Sequence, residues 1–182
     1  MMIGPARPLM DLAEARLSAA FQWWDGLRPP AGALPLAESL ELANVPGSVM
    51  PHLAVCSGFT PDGRLRAEFI GTVAGMFGGG DAAGRFLDEF YPPATARVAA
   101  DIFHRVEELR SPLAGIFELG LDGQLLMTTR RLYLPFIDAA GGICRFAAVL
   151  TYELTEAGRV QRPRMFQQAL DIMRMELFPP AP

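Results

Sequence analysis

The most chemically suggestive residues of this chain are two adjacent arginines, Arg130 and Arg131, set in an apolar stretch that runs from Leu125 to Leu134. Neighbours in a strand point to opposite faces, so one of the two must share a face with buried residues. Arg130 goes with Leu126, Leu132 and Leu134; Arg131 goes with Leu125, Met127 and Tyr133. A half-buried guanidinium needs a partner. That partner is either an internal carboxylate, with Glu68, Glu118 and Glu153 as candidates, or an anionic ligand. All sixteen basic residues are arginine and lysine is absent, which excludes Schiff-base chemistry, the P-loop lysine and the kinase strand lysine. Two histidines and two cysteines cannot build a Cys₄ or Cys₂His₂ zinc site, and no metal site is expected. No Ser/His/Asp or Cys/His grouping stands out, and Asp88-Glu89 and Glu107-Glu108 read as solvated helix charges. The chain is not expected to be an enzyme.

Other signals are weaker. Gly78-Gly79-Gly80-Asp81-Ala82-Ala83 satisfies a loose G-x-G-x-x-A pattern, but a dinucleotide site requires a βαβ unit around it, and the strands that follow are joined by Asp-Gly hairpins. Cys144-Arg145-Phe146 resembles the core of flavin-adduct photosensor motifs. There the cysteine sits on a helix, whereas here it falls in a terminal strand, so it reads as a core cysteine. His104 lies on the long helix but points about 180° from the apolar set Val98, Ala99, Ile102, Phe103, Val106 and Leu109, with the solvated Arg97, Asp101 and Glu108. Haem ligation through His104 is not expected, and the cofactor, if there is one, is unknown. His52 has no partner that sequence identifies.

These residues sit in a chain of 182 residues, 51% hydrophobic and 20% charged, with a formal charge of −4 and a pI of about 5.2. That is enough for one domain with a real core, and the charge gives no sign of a nucleic-acid or anionic-membrane partner. The N-terminus has no continuous apolar h-region and no apolar run approaches the length of a membrane span. With Cys56 and Cys144 88 positions apart, the expected setting is the cytoplasm with both thiols reduced.

Along the chain, Met10, Ala13, Leu17, Ala20, Trp24 and Leu27 recur at alternating steps of 3 and 4. This is an a/d stripe suited either to a dimer seam or to packing on the chain's own domain. Prolines 29 and 30 end that helix, and a loop-rich connector follows in which a short helix over 36–43 is possible. Leu53–Phe59 and residues 65–69 form a hairpin about Asp62-Gly63, and the glycine-rich 71–84 reads as short broken helices. Pro92-Pro93 opens a helix to Leu109. Three strands then follow, over 113–121, 124–136 and 143–154. Phe166, Leu170, Met173 and Leu177, at steps of 4, 3 and 4, predict a C-terminal helix. Hairpin-linked strands with the helices grouped between them predict an α+β fold. The expected division is a helix over 1–30, a domain over 31–156, and a helix and tail over 157–182.

Gly71-Thr72, Phe77-Gly78, Asp81, Gly84 and, after the long helix, Arg131-Leu-Tyr-Leu-Pro135-Phe136 together resemble the PAS-like family of short bacterial proteins, over residues 20–156. The resemblance implies a five-stranded antiparallel sheet in the order 2-1-5-4-3, with helices covering one face and flanking helices at both ends. It places Cys56 and Cys144 on adjacent strands. It also implies a stand-alone sensor that binds a small ligand between sheet and helices, signals through its N-terminal helix, and works as a homodimer or with a signalling partner. Candidate ligand residues are Phe69, Arg130, Leu132, Phe146 and Tyr152 on the sheet, with Phe77 and Phe103 closing the site from the helical side. Two other readings stand beside it. One is a ligand-free adaptor or dimerisation module whose own side chains fill the interior. The other is a small α+β enzyme acting on an acidic metabolite held by Arg130 or Arg131.

Overall fold

A computed structural model describes residues 2–8, 14–30, 32–77, 82–165 and 170–181. Its frame is an antiparallel sheet of six strands: β1 (Leu53–Ser57), β2 (Ala67–Ile70), β3 (Leu113–Leu121), β4 (Gln124–Ile137), β5 (Ile143–Leu154) and β6 (Asp171–Phe178). The spatial order is β2-β1-β5-β4-β3-β6. Count and order thus differ from the five strands expected: the 2-1-5-4-3 arrangement lies inside a sheet that one further strand extends.

Local chemistry sets the hairpins. Asp122 and Gly123 both have positive φ, 53° and 76°, the conformation of a two-residue I′ turn, and Leu121 pairs directly with Gln124. Between β4 and β5 the Asp138 carboxylate accepts from the Ala140 and Gly142 amides, each at 2.9 Å. Helix α2 (Leu87–Phe90) leads into α3 (Pro93–Leu109), whose first position is a proline and whose buried Ala96, Ile102, Phe103 and Val106 face the sheet.

The predicted C-terminal helix is corrected. Two short helices, α4 (Glu156–Val160) and α5 (Arg162–Met165), come first, and Leu170, Met173 and Leu177 then belong to an extended segment; Phe166 lies outside the described residues. Residues 170–178 fit a helical stripe and a strand equally well as a pattern, and the open edge of β3 decides between them. Its backbone groups pair with β6 from Ala114↔Phe178 to Gly120↔Asp171. Consecutive Leu177 and Phe178 are both buried, one on each face of the sheet. The N-terminal residues follow the same edge, with Arg7–Pro8 paired in parallel with Pro180–Ala181. The possible helix over 36–43 is two 3₁₀ turns, Ala37–Ser39 and Leu42–Asn44.

Helices cover both faces of the sheet, not one. Helix α1 (Ala15–Gly26) lies on the face opposite α3 and buries Leu17, Ala20 and Trp24 against Leu132, Leu134, Phe136, Ala147, Val149 and Phe178. The Trp24 indole donates to the Pro135 carbonyl at 3.0 Å. Pro135 lies beyond the end of β3, which begins opposite Tyr133, so its missing N–H costs that pairing no ladder bond. The a/d stripe is therefore spent on the chain's own sheet. A free dimer seam through Leu17, Ala20 and Trp24 is corrected accordingly; Leu27 is partly buried beside them, and Met10 and Ala13 lie outside the described residues. No described helix is long and apolar enough to cross a membrane.

Candidate functional site

Beneath α3 the sheet does not fill its own space. The floor carries small residues where strands meet: Ala54 pairs with both Ala148 and Ile70, and Cys56 pairs with Ala67. Large side chains stand at the margins, with Tyr133 opposite Ala148 and Tyr152 opposite Thr129. The roof is the α2–α3 elbow (Phe90, Tyr91, Pro92, Thr95) and the body of α3 (Ile102, Phe103), and Gly71, Thr72 and Met76 close one side. Between floor and roof lies a cavity of about 850 Å³, within the range of small-molecule sites. Gly71 is required in that wall: a Cβ there would come within 2.4 Å of the Met50 carbonyl oxygen. The Tyr152 hydroxyl donates to the Ala74 carbonyl at 3.1 Å, tying the 3₁₀ turn Ala74–Phe77 to the floor.

The polar end of the cavity is built on β4. Thr129, Arg131 and Tyr133 alternate onto the cavity face, and Arg131 Nε donates to the Thr129 hydroxyl at 2.9 Å. The guanidinium lies 4.2 Å from the centroid of the Phe117 ring, a cation–π contact. Gly115, directly opposite Arg131 on β3, makes room for that ring: a Cβ at Gly115 would come within 2.7 Å of it. Tyr91, Tyr133 and Tyr152 all lie close enough to Arg131 to interact with it electrostatically. Burial raises the pKa of each of the three phenols, outweighing the pull of the neighbouring cation, so all three stay protonated. Burial opposes the charge on Arg131, but a guanidinium starts from so high a pKa that the cation persists. Among the described residues no carboxylate pairs with it.

The predicted site residues divide between the two faces. Phe103 and Tyr152 line the cavity. Phe146 is buried at its edge, 4.9 Å from Phe103 between ring centroids. The side chain of Phe77 lies outside the described residues. Three assignments are corrected: Arg130, Leu132 and Phe69 belong to the opposite face. Leu132 is fully buried against the α1 layer, Phe69 packs on the same layer, and Arg130 forms an ion pair with Glu153 at 2.9 Å. The carboxylate reading of the arginine pair thus holds for Arg130 and, among the described residues, leaves Arg131 without an acid.

A single β-bulge makes the exchange. Ile137 pairs with Ile143, but Phe136 pairs with Arg145, so Cys144 is an extra residue on β5. An unbroken register would set Arg130 opposite Leu150; with the bulge, Arg131 takes that place. Tyr91 and Tyr133 are the site residues that the sequence reading missed, and Arg131, singled out there together with Arg130, was not among its candidate ligand residues. The parity of β4 was readable, but its pairing with β5 was not.

The thiols are separate. Cys56 is buried in the floor with its pKa pushed up to about 12, first by burial and then by Glu68, so it stays a thiol and a poor nucleophile. It sits on β1, adjacent to β5 as expected, paired with Phe146, while Cys144 lies at the bulge, and neither is in a disulfide. His104 is exposed, stacked on Phe59 at 3.7 Å and 3.6 Å from the Glu107 carboxylate. His52 meets the Leu150 carbonyl at 2.8 Å. Neither histidine lines the cavity, and no carboxylate does among the described residues.

No family model matches the chain, and no curated protein matches it. Among solved structures the chain is similar to the PAS domain of BvgS from Bordetella pertussis, with 16% identity, 63% of this chain and 85% of that chain covered, and a TM-score of 0.42.

Proposed function

We propose that this chain is a PAS-type sensory module that holds one small molecule between the sheet and α3. The observation that carries this reading is the 850 Å³ cavity, apolar over most of its lining, with Arg131 and three tyrosines gathered at it. An adaptor filled by its own side chains would not leave that volume beneath a long helix. An enzyme acting on an acidic metabolite would need a general base beside the arginine. The described lining offers only phenols and a thiol whose pKa values lie above their ordinary ones.

A route for output runs through β4. Arg131 and Tyr133 face the cavity, and between and beyond them Leu132 and Leu134 face the layer that holds Trp24. A ligand that shifts β4 therefore loads α1 directly, and α1 presents the change to a second copy or a signalling protein in the cytoplasm. Native mass spectrometry of the purified protein tests the reading, by comparing the folded mass with the denatured mass. A non-covalent small molecule is expected in the folded spectrum or after incubation with a metabolite extract. A bare chain under both conditions contradicts the reading.

A further inference from the structure

A cavity meant only to hold an apolar body has no use for a cation, yet Arg131 lines this one. Other partly buried arginines have their acids: Arg130 has Glu153, Arg145 has Glu68, and Arg64 has Asp88 and Glu89. Arg131 has a hydroxyl, an aromatic face and protonated phenols, all neutral groups. A cation withdrawn from bulk water without a counter-charge is costly, and an anion that enters beside it removes that cost. The first turn of α3 adds to the same field, because Pro92 and Thr95 line the cavity near the positive end of the helix dipole.

We propose that the ligand is a small monocarboxylate, with its carboxylate on the Arg131 guanidinium and its apolar body along Ala54, Ala148, Ile102 and Phe103. The proposal rests on reading the cavity as the ligand site. One negative charge fits because Arg131 is the one cation among the described lining residues. A dianion would leave a charge unmatched in an apolar enclosure, a neutral molecule would leave the guanidinium unmatched, and a cation would be repelled. The planar fork of arginine also suits a carboxylate, which it can hold through two parallel hydrogen bonds.

Isothermal titration of the full chain with sodium octanoate, octanamide and octylamine tests this, using wild type, Arg131→Met, Arg131→Lys and Ala148→Phe. Octanoate is expected to bind wild type more tightly than octanamide, and octylamine is expected not to bind. Arg131→Met is expected to weaken octanoate by about tenfold or more, Arg131→Lys to recover part of the loss, and Ala148→Phe to block binding. Octanoate binding to a folded Arg131→Met as tightly as to wild type overturns the proposal. If that variant does not fold, the octanoate-to-octanamide ratio on wild type decides, and equal affinities overturn it. Octanamide binding that Ala148→Phe abolishes, without a preference for octanoate, removes the carboxylate and keeps the cavity. Failure of all three probes on wild type removes the monocarboxylate proposal outright, while a different retained molecule in the native mass spectrum would keep the cavity as a ligand site.

Discussion

The two faces of the sheet are made from the same six strands and solve different problems. On the α1 side, Leu17, Ala20, Trp24, Leu132, Leu134, Phe136, Ala147, Val149 and Phe178 are sealed from solvent at 0–1% exposure. Large side chains meet a helix that brings two tryptophans and a phenylalanine; the Trp24 indole N–H finds the Pro135 carbonyl, whereas the Trp23 indole nitrogen is buried without a hydrogen-bond partner among the described residues. On the α3 side, alanines and a cysteine lie under the helix, and the strand that gives three apolar residues to one face gives Thr129, Arg131 and Tyr133 to the other. One face is built for stability. The other holds volume and charge in reserve.

The largest expected effect belongs to the sealed face. Trp24→Ala removes a fully buried indole and its bond to Pro135, and should destabilise the chain by about 3–5 kcal/mol in urea denaturation. A loss below about 1 kcal/mol would mean that α1 is not an integral layer.

Next comes an alkaline effect from the open face. The folded-state pKa of Cys56 lies at about 12, above its ordinary 9.0, and the three cavity tyrosines are raised as well. The folded state therefore holds protons that the unfolded state releases, and stability should fall as pH rises from about 9 toward 12, by on the order of 3 kcal/mol. Urea melts at pH 8, 10 and 11 would register it, and Cys56→Ala should flatten the curve. A midpoint unchanged across that range contradicts the burial of these groups.

The comparison sharpens at two adjacent residues. Ala147 faces α1 and Ala148 faces the cavity. Ala147→Leu overpacks a filled layer and should cost about 1–3 kcal/mol, whereas Ala148→Leu finds space and should cost less than about 1 kcal/mol. Equal costs for the two would show that the faces are packed alike.

The smallest effect on stability is expected at the most functional residue. Arg131→Met exchanges a cation without an acid for an apolar side chain of similar length, and should shift the unfolding free energy by less than about 1 kcal/mol in either direction. A loss of several kcal/mol would make Arg131 a structural residue of β4.

Much of this architecture was legible in the residues. Strands β3 and β5 and helix α3 fall where pattern and punctuation placed them, because Asp122-Gly123 and Pro92-Pro93 permit little else. The stripe of α1 was legible as apolar, but periodicity reports that a face is buried and not what buries it. Residues 171–178 satisfied two periods, and the unpaired edge of β3, a tertiary fact, chose the strand. The site was half legible for a related reason. Tyr152, Phe103 and the arginine pair all attracted notice, but no residue type spells out the bulge at Cys144, and that one extra residue exchanges Arg130 for Arg131. The alanine floor was silent, since a small apolar residue looks the same in a strand whether its face is packed or open.

The most direct test of this division of labour is a titration of ¹⁵N-labelled protein with sodium octanoate, followed amide by amide. Shifts are expected to concentrate at Tyr91, Ile102, Phe103, Arg131 and Ala148, with smaller changes passing through Leu132 to Trp24. Shifts centred on Leu17, Ala20 and Trp24, with the α3 face undisturbed, would contradict it.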